Sequence, residues 1–189
     1  MNLWDTPVGF DEPLAALSAC HRRIEKQMAT LVRLQQHVAN NGVDDDARIA
    51  AAGILCYFIE AAPHHHADEE TDLCPKVLRA AEASADRAWA FDLVSHLLVD
   101  HRNMELAWAR VRTALEALQA GETVELDSET CEDFVRIYSS HIAREDNELF
   151  PLAARLLSKE DLEALGRAMA MRRGMPPPVF DAAHSLKQD

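Results

Sequence analysis

Residues 141–151 read HIAREDNELFP, and residues 65–75 read HHADEETDLCP, the same pattern 76 positions earlier. Each run places a glutamate four residues after a histidine, then a leucine, then a proline. Residues i and i+4 lie one above the other on a helix. His65 with Glu69, and His141 with Glu145, therefore each offer one nitrogen and one carboxylate to the same point. The 76-residue shift also lays Phe58 on Phe134 and Arg79 on Arg155. A shift of 80 lays Leu17 on Leu97, His21 on His101, Arg22 on Arg102 and Glu25 on Glu105. The chain reads as a duplicated helical hairpin with one seam histidine in each of four helices.

Outward from these runs, apolar residues recur in steps of three and four. Helix one is expected over about residues 13–40, with Leu14, Leu17, His21, Ile24, Met28, Leu31, Gln35 and Val38 inward. Helix two starts near Ala47 and presents Leu55, Phe58, Ala62, His65 and Glu69. Pro63 should kink it just before His65, and Pro75 should end or bend it. Helix three carries Val94, Leu97, His101, Met104, Trp108, Val111, Leu115 and Leu118. Helix four, from near Ser128, carries Cys131, Phe134, Tyr138, His141, Glu145 and Leu149 and reaches Pro151. A short fifth helix over 158–173 begins at Ser158, with Asp161 three residues on. The fold expected is all-α: an up-down-up-down four-helix bundle with a short C-terminal fifth helix. Residues 1–174 form one domain, with its core at about 12–157, and 175–189 a flexible tail.

Composition narrows the function. Apolar residues make up 48% of 189, and the net charge is −13. That charge argues against nucleic acid, whose phosphates demand a basic face, and against an anionic membrane surface. No leader peptide and no membrane span is recognised, so the expected location is cytoplasmic. Cys20, Cys56, Cys74 and Cys131 form no C-x-x-C and read as reduced thiols, with Cys20 and Cys74 as small core residues.

Buried imidazoles and carboxylates without partners cost several kcal/mol each, and coordination to a metal offsets that cost. The expected metal ligands are His21, His65, Glu69, His101, His141 and Glu145. Imidazole with carboxylate suits iron, manganese or zinc. Six side chains around one ion leave little room for chemistry. Two ions sharing both glutamates as bridges would each hold two histidines and two oxygens. An oxo or hydroxo bridge then leaves one open position per ion, for O2, NO or peroxide. Around this set, His66 is the alternative to His65. Tyr138 is placed either to hydrogen-bond a bound ligand or to pack in the core. Glu25 and Glu105, one turn after their histidines, are read as supporting or surface carboxylates. Apart from Glu69, the acidic run Asp68–Asp72 is read as a solvated face.

The runs HHHADEETDLCP (64–75) and HIAREDNELFP (141–151), with CHRRIE (20–25) and DHRNME (100–105), resemble the hemerythrin family. More narrowly they are similar to bacterial hemerythrin-like HHE cation-binding domains. The resemblance covers about residues 12–173, including the closing LSKEDLEALGRAMAMRRG. It implies a non-haem di-iron centre, with the four histidines as terminal ligands and Glu69 and Glu145 as bridges. Cys74 stands where the motif has phenylalanine. The oxygen carriers of the family place a fifth histidine where this chain has Leu97; His96 lies on another face. Their last helix uses H-x-x-x-x-D, a spacing met by Asp146, whereas the internal repeat favours Glu145. A four-histidine, two-glutamate set is closer to the di-iron proteins that repair iron–sulfur clusters under nitrosative stress, and to related sensor domains. The cysteine-bearing N-terminal domain often joined to the repair proteins is not found, which weighs against repair. The leading expectation is thus a di-iron protein binding or reacting with O2, NO or peroxide, with a reductase or other protein partner unidentified. The alternatives are an iron-responsive regulatory or storage module, and a metal-free bundle acting as an interaction domain.

Overall fold

The computed structural model describes residues 9–180, and among them every regular element is helical. Helix α1 spans Pro13–Asn41, α2 residues 45–81, α3 Arg87–Gln119, α4 residues 128–156 and α5 Lys159–Arg172. Helix α1 packs on α2, α2 on α3, α3 on α4 and α4 back on α1, closing a ring of four. Helix α5 lies against α1 and the later part of α2.

The chain ends these helices as its local chemistry dictates. Asp44 accepts from the Ala47 N–H at 2.8 Å, Asp127 from Thr130 N–H at 2.7 Å, and Ser158 from Asp161 N–H at 3.1 Å. Each cap satisfies a donor that the first turn leaves orphaned. Gly42 closes α1 at φ 78°, a left-handed conformation that glycine adopts without strain.

Two apolar clusters fill the ring. One joins the end of α1 (Leu31, Leu34) and start of α2 (Ala51, Ile54) to the end of α3 (Leu115, Leu118) and start of α4 (Cys131, Phe134). The other joins the start of α1 (Leu17) and end of α2 (Leu73, Val77) to the start of α3 (Leu93) and end of α4 (Leu149, Leu152). Leu165 and Met169 of α5 complete it. Between them, one histidine from each helix lies fully buried. Near the end of α1 the inward position is Leu34; Gln35 and Val38 are only half-buried. A seam set by 3.6 residues per turn drifts off a fixed four-residue step there.

The prolines do not end their helices. Helix α2 runs unbroken through Pro63 and Pro75 to Ala81, and α4 continues past Pro151 to Leu156. Three π-helical turns absorb them: Tyr57–Ala61, Asp68–Leu73 and Glu145–Leu149. In each, the residue before the proline bonds five residues back: Ala62 to the Tyr57 carbonyl, Cys74 to Glu69, Phe150 to Glu145. A proline clashes with the carbonyl four residues behind it, and the wider turn moves that carbonyl aside. Pro63 and Pro75 therefore enter through register, not as breaks. Of the expected tail, Phe180 lies under the Arg167 guanidinium at 5.4 Å; residues 181–189, and 1–8 at the other end, lie outside the described part.

Candidate metal centre

Six side chains meet where the four helices face one another, and all are buried: His21 of α1, His65 and Glu69 of α2, His101 of α3, His141 and Glu145 of α4. Glu69 turns Oε1 to His65 Nε2 (3.2 Å) and His21 Nε2 (3.9 Å), and Oε2 to His101 Nε2 (3.5 Å). Glu145 turns Oε2 to His21 and His141 Nε2, each at 3.1 Å, and Oε1 to His101 Nε2 at 4.0 Å. The donors fall into two groups of four, His21–His65–Glu69–Glu145 and Glu69–His101–His141–Glu145, each within 4.8 Å. Each half of the duplicated chain supplies one histidine pair, and both groups share both carboxylates. Two of the three π turns begin at or beside those glutamates, a placement π turns often take at functional sites.

The outward nitrogens show why the imidazoles face as they do. His21 Nδ1–H donates to Asp146 Oδ1 at 3.0 Å and His101 Nδ1–H to Glu70 Oε1 at 2.6 Å. A donating Nδ1 turns the Nε2 lone pair inward, the arrangement that metal-binding histidines use. His101 and His141 present Nε2 atoms to one another at 3.0 Å.

Electrostatics follow from burial and these partners. Burial alone would lower the pKa of His21, but the Asp146 carboxylate bonded to Nδ1 and the Glu145 and Glu69 carboxylates facing Nε2 raise it to about 10. Burial likewise opposes the charge on His101, yet Glu69, Glu145 and Glu70 raise it to about 9. Burial and the Glu145 charge push Glu69 up to about 7. His65, desolvated and facing charged His21, sits well below the usual histidine range.

His21 Nε2 and all four oxygens of Glu69 and Glu145 are buried with no hydrogen-bond partner. Such atoms are rare in folded proteins because each forfeits its hydration. A cation held by imidazole and carboxylate would restore what they lack, so the residues fit a bound metal.

The family model of the hemerythrin HHE cation binding domain matches residues 12–153. The chain belongs to that family. This hemerythrin domain is also similar to an uncharacterised protein of Haemophilus influenzae (strain Rd), 29% identical over 164 residues, 87% of this chain and 91% of the relative. Among the described residues no helix is long and apolar enough to cross a membrane.

Around the hemerythrin centre, the structure separates readings that the sequence left open and corrects one. Glu25 is exposed, because Ile24 takes the inward position; it supports nothing in the cluster. Glu105 is exposed too, at the rim of a cavity beside the site. Tyr138 is buried and lines that cavity. His66 is not in either donor group; its ring stacks on His101, centroids 4.3 Å apart. The run Asp68–Asp72 is a solvated face only at Glu70 and Thr71. Asp68 is fully buried, bound by Arg172 Nη1 and, at 2.6 Å, by Arg173 Nη2. Asp72 accepts from Arg172 Nη2 at 2.6 Å. These partners lie 100 to 105 residues away, at the end of α5, beyond the reach of any local pattern. Glu70 and Asp146 as supports were findable: each directly follows a shared glutamate, and the 76-residue shift lays one on the other. All four cysteines are free.

Proposed function

We propose that this hemerythrin domain holds two iron ions and binds or reacts with O2, NO or peroxide. His21 and His65 would hold one ion and His101 and His141 the other, with Glu69 and Glu145 shared between them. The observation that carries this is the pair of four-donor groups sharing both carboxylates, with bare buried oxygens between two histidine pairs. Iron there supplies open coordination positions and a one-electron couple. The chain's own contribution is positional: Asp146 and Glu70 fix the imidazole tautomers, the π turns aim the glutamates, and the apolar clusters exclude water. We place the protein in the cytoplasm, with zinc or manganese as the competing metals. Iron analysis and absorption spectra of protein purified under reducing, anaerobic conditions and then exposed to O2 form the test. About two iron per chain and a near-ultraviolet charge-transfer band are expected; zinc at full occupancy with no spectral response would overturn the reading.

A second reading, an iron-responsive regulatory or storage module, draws on one observation. The polar cluster is the middle layer of the core, so occupancy and folding must be coupled. Strong destabilisation by chelator with no reaction toward O2 or NO would select it.

A further inference from the structure

The duplicated halves treat their equivalent histidines differently. His21 is covered by Phe150, rings parallel within 12° and centroids 5.2 Å apart. The repeat position of Phe150 is Cys74, too small to cover a ring, and His101 is covered by His66 instead, within 16° of parallel. His66 Nε2 is buried with no hydrogen-bond partner. On this side a cavity of about 260 Å³ abuts the covering ring. Phe58, Trp108 and Tyr138 form its apolar walls, with Glu70 and Glu105 at the polar end. It reaches the His101 group through two side chains: His66, stacked on the ring, and Glu70, bound to Nδ1.

We propose that this cavity is the entry for a small uncharged ligand to the His101–His141 side of the centre, with His66 as its movable wall. The inference rests on the metal-centre reading above. Charge selects the ligand class. Two carboxylates at the cavity, on a protein of net charge −13, disfavour an anion. A cation would be repelled by the metal it must reach. An uncharged molecule meets neither barrier, and the aromatic walls favour one of low polarity.

The test uses the full chain loaded with iron, with NO and azide as neutral and anionic probes in stopped-flow absorbance. Ala67→Phe and, separately, Thr71→Trp fill the cavity from its wall and its exposed rim; Glu105→Gln removes a rim charge. Both fillings should leave iron content unchanged and slow NO association by about tenfold or more. Glu105→Gln should leave the NO rate unchanged and speed azide several-fold. Full iron content with unaltered NO rates in both filled variants overturns this proposal while the metal centre stands. Azide rates indifferent to Glu105→Gln overturn the selection for uncharged ligands. Wild-type protein that takes up no iron overturns the centre and the entry together.

Discussion

At the scale of single residues, Asp146 and Glu70 matter as much as the histidines they hold. Each fixes the tautomer of one histidine, and losing such a partner typically costs 10–100-fold in metal affinity. Asp146→Ala and Glu70→Ala should each weaken metal binding by about that factor while leaving the helical signal intact, as competition with a chelator would read out. Protonation gives a second residue-scale prediction. Without metal, His21 and His101 titrate at about 10 and about 9, above the unfolded value of 6.5. A raised pKa contributes stability that is full below pH 6.5 and lost as pH climbs through 9 and 10. Metal binding needs those nitrogens bare, so its affinity rises over the same range. Metal-free protein should therefore lose Tm between pH 7 and 10, while the gain in Tm on loading grows; parallel melts with and without chelator measure both. That these six side chains meet in one place was legible in the sequence, because one histidine per seam and a matched glutamate spacing leave few other arrangements. The fate of Asp68 was not, because its burial depends on two arginines delivered by tertiary packing.

At the scale of elements, the π turns and α5 decide how the centre is held. Periodicity finds helices but not the hydrogen-bond shift inside them, so Pro63 read as a kink and Pro75 as an end or bend when both sit behind widened turns. Helix α5 was recognisable as a helix, yet its role was not. Its Arg172 and Arg173 grip Asp68, the residue preceding Glu69. Arg172→Ala should leave Asp68 with one partner fewer in a buried position and lower stability by about 1–3 kcal/mol. Thermal melting of the metal-free form would show it, and iron content should fall in step. Helix α5 also needs Gly166, where a Cβ would run into the carbonyl oxygen of Phe10. Gly166→Ala should cost about 1–3 kcal/mol through overpacking, seen as a lowered denaturation midpoint; a neutral result would show that the chain before α1 yields easily.

At the scale of the whole molecule, the fold is a polar layer carried between two apolar ones, and the duplication explains both the ring of helices and the paired donors. The all-helical class and the four-helix frame were readable because each seam repeats cleanly; the asymmetry between halves was not, since it arises from which ring covers which histidine. Chelation should destabilise the molecule globally, because His21 Nε2 and the oxygens of Glu69 and Glu145 then lack partners. The proposed centre requires two ions shared between Glu69 and Glu145. Anomalous diffraction at the iron edge, from crystals of the iron-loaded protein, tests it most directly. Two peaks about 3.5–4 Å apart are predicted, one beside His21 and His65, the other beside His101 and His141, both touching the two glutamates. A single peak, or metal bound away from these six side chains, would contradict it.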